Sequence, residues 1–215
     1  MRMPRELQRA LVEAEAAIEV AGVLPLSARR ALFIALGSTA RARPVPGVYG
    51  PGQVRRTLVE LLAVQHGAVL WRSATDELGG SADVDRALRV GLGVLRGEVS
   101  PSDALGFQDR LLEVVVEREF RNFASGLVGR AACQSLLTSV FDGGWFEVSR
   151  LARDEDLEPD EADATYLVSR ALQHASDGHN AGRRFWTWLV NEVVPASFDI
   201  EPAMAMLDRG QQGPG

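Results

Sequence analysis

Near the C-terminus the chain reads Arg183-Arg184-Phe185-Trp186-Thr187-Trp188-Leu189-Val190-Asn191-Glu192-Val193-Val194-Pro195, and no other stretch limits the fold so strongly. At helical spacing Phe185, Trp188 and Leu189 share one side, while Trp186, Val190, Val193 and Val194 cover much of another. A helix apolar around so much of its circumference, with almost no polar face, needs neighbours that wrap it rather than a place on the surface. Aromatic side chains of this size bury on the order of 150–250 Å² each, so this short segment supplies much of a core's area. Pro195 has no N–H for the next helical bond and is expected to end the segment.

The rest of the chain supplies the wrapping. Pro4 to about Ala21 reads as an amphipathic helix with Leu7, Leu11, Ala14 and Ile18 on one stripe, closed by Gly22. Ser27 is a good cap for a second helix, Ala28 to about Gly37. Residues 38–52 hold too much proline and glycine for a regular element, so a loop is predicted there. A long helix from Gln53 to about Ala74 follows. Next comes a clean stripe of Val84, Ala87, Leu88, Gly91, Leu92 and Leu95, with Gly97 at its end. Ser100-Pro101-Ser102-Asp103 starts a helix reaching about Phe120. Gly126–Phe141 is apolar nearly throughout and reads as a central buried helix, and Trp145 to about Arg153 as a short helix or turn. Pro159 at a first helical position, with Asp160 and Glu161 in the first turn, is expected to open the helix that carries Ala164, Leu167, Val168, Ala171, Leu172 and Ala175. A short helical turn around Met204 and Leu207 precedes a polar, glycine-rich tail. The fold class is therefore all-α. The reading is a single globular domain over residues 1–209, about eight or nine helices around the aromatic C-terminal one, with 210–215 as a disordered tail.

Charge narrows the classes of partner. All 23 basic residues are arginine, which reflects a GC-rich coding genome more than a structural demand. Residues 1–107 carry 13 arginines against 11 acids, and residues 108–215 carry 10 against 18. An acidic C-terminal half disfavours nucleic acid, which needs positive charge facing its phosphates, and suits a basic partner. Cys133 is the single cysteine, so an intrachain disulfide is impossible, and its apolar surroundings make it a small buried hydrophobe. Glutamates 6, 13, 15 and 19 interrupt any secretory apolar stretch. The uncharged run Leu61–Trp71 falls far short of the ~20 residues of a membrane span. A cytoplasmic protein with no membrane association is expected.

One charge cluster stands out. Asp154, Glu155, Asp156, Glu158, Asp160, Glu161 and Asp163 put seven acids and no base into ten residues. Helix capping near Pro159 accounts for three or four of them. The remainder are either solvated surface or a face that meets a basic partner. On either reading, neutralising Asp154, Glu155 and Asp156 together is expected to leave folding little changed. His174, Asp177 and His179 form H-x-x-D-x-H, whose residue types bind zinc, but the spacing matches no closed site and no metal is assigned. His66 stands alone in an apolar helix. The glycines at 47, 50 and 52 do not make a phosphate loop, and neither a nucleophile elbow nor H-E-x-x-H occurs. No cofactor is implied, and catalysis has little support.

Several stretches taken in order resemble the predicted all-helical immunity proteins of bacterial polymorphic toxin systems. They are Leu24-Pro25-Leu26-Ser27-Ala28-Arg29-Arg30-Ala31, Val69-Leu70-Trp71, Asp85-Arg86-Ala87-Leu88 running to Leu95-Arg96-Gly97-Glu98, and Arg183–Leu189 followed by Val194-Pro195-Ala196. The resemblance covers roughly residues 24–198. It implies a non-enzymatic protein that neutralises a cognate toxin by tight non-covalent binding, with the acidic run as candidate contact for a basic toxin. A reading from another class is a helical scaffold or regulatory adaptor without a toxin. A third is a small helical enzyme with its site between helices.

Overall fold

The structure is a computed structural model that describes residues 2–37, 49–74, 82–142, 153–154, 157, 162–176 and 178–211. Every regular element among them is helical: α1 Arg5–Ala21, α2 Leu26–Ala35, α3 Pro51–Ser73, α4 Ala82–Arg96, α5 Pro101–Glu119, α6 Phe123–Phe141, α7 Ala164–Ala175, α8 His179–Trp188, a π-helical turn Leu189–Val193, α9 Val194–Asp199 and α10 Glu201–Gln211. Helix α8, the π-turn and α9 form one continuous rod, because the residues at both junctions keep right-handed helical dihedrals. The all-α expectation is met, with nine rods among the described residues when that one is counted once.

Helices α3 and α6 form the middle of the molecule. Helix α6 packs on α3, α4, α5 and α7, and α3 also meets α4, α7, α9 and α10. Small residues make this possible. A Cβ at Gly129 of α6 would meet Trp71 at 2.7 Å, and one at Gly67 of α3 would meet Val168 of α7 at 3.1 Å, so both glycines let backbones approach closely. One apolar cluster draws on all ten α-helices and contains Trp71, Trp186, Phe33, Phe185 and Phe198.

Helix boundaries follow local chemistry that the periodicity left open. Gly22 closes α1 in the left-handed conformation at φ 72°, as its lack of a Cβ permits. Ser100 caps α5 by accepting from the Asp103 N–H, and Asn122 caps α6 in the same way. Helix α2 begins at Leu26, with Pro25 rather than Ser27 at the cap position. Helix α3 takes Pro51 and Gly52 from the end of the predicted loop, since proline is pre-shaped for a first helical turn; residues 38–48 lie outside the described residues. Helix α10 extends past the predicted turn and takes in Gly210 and Gln211, held by the Gln65 side chain, which donates to the Leu207 carbonyl at 2.9 Å. Residues 212–215 and most of the predicted element 145–153 lie outside the described residues.

Pro195 does not end the aromatic segment. It sits in the first turn of α9, directly after the π-turn. A proline ring clashes with the carbonyl four residues back and leaves it without a donor. Widening the preceding turn to π-geometry moves that carbonyl aside and lets the rod continue.

Candidate functional site

Five acidic-run positions, Glu155, Asp156, Glu158, Asp160 and Glu161, lie outside the described residues. Of the two at the ends, Asp163 is buried and Asp154 is partly buried. Asp163 is 1 % exposed and caps α7 by accepting from the Tyr166 N–H at 3.0 Å. Its other oxygen accepts from Arg29 Nε at 2.8 Å. The helix therefore opens at Ala164, later than the Pro159 start expected, because Asp163 supplies the side-chain acceptor that a helix N-terminus needs. Asp154 accepts from Arg29 Nη2 at 2.6 Å and, through its second oxygen, from the Leu26 N–H at 3.1 Å. It serves as a remote cap for α2, which has no capping side chain of its own.

Arg29 is thus a buried clasp. It is 1 % exposed, donates its third nitrogen to the Leu24 carbonyl at 2.9 Å, and lies 4.7 Å from the centre of the Tyr166 ring and 5.8 Å from that of Trp186. Burial works against its charge, but Asp163 and Asp154 overcome that and hold its pKa above the usual guanidinium value. These contacts tie α2 to α7 and to the aromatic rod. The expectation that neutralising Asp154 is innocuous is corrected here, because Asp154 and Asp163 serve the fold.

A second clasp holds the other end of α2. Arg56, fully buried, grips Asp142 with two nitrogens at 2.8 and 2.7 Å and donates to the carbonyls of Phe33 and Gly37.

The H-x-x-D-x-H residues do not form a described site. His174 meets Phe123 edge-on at 4.9 Å, His179 opens α8, and Asp177 lies outside the described residues. Cys133 is buried as expected, and burial pushes its thiol pKa up to about 12.

Two neighbouring clefts lie on the outer side of the aromatic rod, and a third, of about 210 Å³, lies between α6 and α7 beside Asp154 and Tyr166. Arg183, Thr187 and Asn191 lie four residues apart and form an exposed ridge. On one side of it a cleft of about 430 Å³ is lined by Asn180, Arg183, Arg184, Thr187, Trp188, Asn191 and Glu192. On the other side a cleft of about 360 Å³ runs between the ridge and α1, where Glu15 and Glu19 line it. The inner side of the same rod buries Phe185, Trp186, Leu189, Val190, Val193 and Val194. The rod is wrapped on one side only, so the expectation that it has almost no polar face is wrong. Its polar residues 183, 184, 187, 191 and 192 follow helical spacing, a signal present in the sequence but overshadowed by the aromatic bulk beside it.

Trp188 sits between the two faces, half-buried. Its ring lies 4.4 Å from His66 and 5.9 Å from Phe185, centroid to centroid. The apolar surroundings of that stack lower the His66 pKa below 6.5 by penalising the cation. Arg183 is tethered by donating to the Glu19 carbonyl at 3.3 Å, and Thr187 donates back to the Arg183 carbonyl at 2.9 Å. Among the described residues the first cleft thus combines arginine, asparagine and threonine side chains with the edge of an indole and one carboxylate, Glu192.

The family described as immunity protein Imm5 matches residues 11–196, and the chain belongs to it. The match runs from the middle of α1 into α9, so it takes in the whole ridge and both clefts beside it. No curated protein matches the chain. Among the described residues no helix is long and apolar enough to cross a membrane.

Proposed function

From membership of the immunity protein family, we propose that this protein neutralises a cognate bacterial toxin by tight non-covalent binding, in the cytoplasm of the cell that makes it. It acts by occlusion and not by catalysis. The observation that supports this reading is the family match over residues 11–196, which covers most of the helical core. The fold suits tight binding, since a stiff helical body with clasped helix ends offers a pre-organised surface, and pre-organisation limits the entropy lost on association. Charge complementarity with the toxin would speed encounter and fix orientation. For a basic toxin, the remaining acidic-run residues Glu155, Asp156, Glu158, Asp160 and Glu161 are the sequence-level candidates for that steering.

The experiment is to express the toxin domain encoded beside this gene with and without the protein, and to follow growth and complex formation. Protection of the cells together with a stable complex of the purified pair is the expected result. Neither protection nor a complex would overturn the reading and favour a helical adaptor.

A further inference from the structure

We infer that the outer face of α5 grips the toxin, and that its occupant is a toxin surface carrying an apolar depression with a basic side chain beside it. This rests on the toxin-neutralising reading above. Helix α5 packs mainly on α6 and α4 through Ala104, Phe107, Leu111 and Val115, and its opposite side is exposed. Two rows run along that side at intervals of four residues: Leu112, Val116 and Phe120, and next to them Asp109, Glu113 and Glu117. Phe120 is 90 % exposed and Val116 41 %, whereas no other described phenylalanine exceeds 49 %. Phe120 is thus the aromatic side chain that the described fold leaves uncovered, and aromatic residues are enriched where proteins meet.

The corner that presents Phe120 is stiff. Only Phe120, Arg121 and Asn122 separate α5 from α6. The Arg121 and Asn122 N–H groups both donate to the Arg118 carbonyl, at 2.9 and 2.8 Å, and the Asn122 side chain caps α6. Gly126 closes the corner, since a Cβ there would meet the Glu119 backbone at 2.7 Å. The backbone beneath Phe120 is therefore fixed before a partner arrives, which limits the entropy lost on binding.

The acidic row selects the chemistry around that anchor. Among the described residues Asp109 and Glu113 have no hydrogen-bond or ion-pair partner. Glu117 shares Arg121 in a surface pair at 3.0 Å, with its own side chain 74 % exposed. At helical spacing Arg110 stands on the far side of the acidic row from the apolar one, so it leaves the border between the two rows acidic. A basic toxin side chain next to the apolar contact would meet Glu113 there, and an acidic one would be repelled. Carboxylates this exposed act more on the rate and orientation of encounter than on affinity, while the apolar row supplies the anchor.

The test uses the full-length protein and a catalytically inactive form of the toxin domain encoded beside its gene. Affinity and association rate are measured for wild type, Phe120→Ala, Val116→Arg, Glu113→Lys and, on α1, Val20→Arg, with thermal melting as the folding control. Val20 is as exposed as Phe120, so its variant reports what an added arginine does away from α5. Phe120→Ala and Val116→Arg are expected to weaken binding about 30-fold or more, and Val20→Arg to bind like wild type. Glu113→Lys should slow association about fivefold at low salt and less at high salt. Replacing one toxin lysine or arginine by glutamate should then restore the rate of Glu113→Lys. Folded α5 variants that bind like wild type would overturn the surface and leave the toxin reading standing. Weakened apolar variants with an unchanged Glu113→Lys rate would overturn the basic side chain. A wild-type dimer that Val116→Arg splits, with toxin affinity unaltered, would make this face an interface between copies and overturn the toxin as its occupant. A wild-type protein that binds no toxin would remove the underlying reading, and this surface with it.

Discussion

Replacing Asp163 with alanine removes a helix cap and an ion pair provided by one carboxylate, together with the acceptor of the buried Thr165 hydroxyl. Its first oxygen caps α7 at the Tyr166 N–H, and its second holds Arg29, which is 1 % exposed. Loss of a side-chain cap costs about 1 kcal/mol. Removing one partner of a buried ion pair costs about 3–5 kcal/mol, because the other charge stays behind in a poorly solvated place. Arg29 retains Asp154 at 2.6 Å, and the Asp154 side chain is 27 % exposed, so the lower end of that range applies. The sum is about 4 kcal/mol, a large share of the roughly 5–15 kcal/mol that stabilises a domain. Urea unfolding followed by circular dichroism measures it. Asp163→Asn, which keeps an acceptor for the cap, should recover about 1 kcal/mol of the loss. Asp154→Asn should cost about 1–2 kcal/mol, since it weakens both the ion pair and the remote cap of α2. A destabilisation by Asp163→Ala of less than about 1 kcal/mol would show that Arg29 relaxes into solvent or onto Asp154, and would refute the clasp.

Three further measurements probe other parts of the molecule. Trp186→Ala should destabilise the protein by roughly 3–5 kcal/mol, because Trp186 is 1 % exposed and lies against Phe185 and Arg29; an unchanged melting temperature would contradict that. Cys133, with its thiol pKa pushed up to about 12 by burial, should react with a thiol reagent only as fast as the protein unfolds, and prompt labelling of the native protein would show otherwise. Burial lowers the His66 pKa below 6.5, so the unfolded chain takes up this proton first: the contribution is complete above pH 6.5 and declines as pH falls from there toward the folded value. A slope of stability against pH that is unaltered by His66→Gln in that window would exclude this histidine as its source.

Helices were legible where one apolar stripe faced one neighbour. The stripes of α1, α4 and α7 bury much the same residues that periodicity selects, because spacing of three and four is a property of a single helix. The start of α7 is marked locally by Asp163, an N-cap residue hidden among six other acids, whereas the start of α2 was not legible. Both are set by carboxylates, and the α2 cap comes from Asp154, 128 residues away in sequence. No local pattern encodes such a pair. The acidic run shows the consequence: composition gave seven equivalent charges, and tertiary packing took Asp163 into the core and paired the partly exposed Asp154 with Arg29. The ridge failed for a different reason. Its residues recur at intervals of four in the sequence, but the same thirteen residues also hold the densest aromatic cluster in the chain, and the bulk decided the reading.

The arginines tell the same story from the other side. A chain with 23 arginines and no lysine offers no contrast by which composition can single any of them out. Packing sorts them. Arg29 gives its three nitrogens to Asp163, Asp154 and the Leu24 carbonyl, spread around one plane, and lies near the rings of Tyr166 and Trp186. Arg56 meets both oxygens of Asp142 in a fork while its remaining nitrogen reaches two carbonyls at the end of α2. An ammonium is a point charge with three donors on a flexible stem and reproduces neither geometry. At these two positions the residue type is a structural demand, whatever set the composition elsewhere. The ends of α2 are where that demand falls, since neither end has a side-chain cap of its own and both are closed from a distance by a guanidinium and its carboxylate.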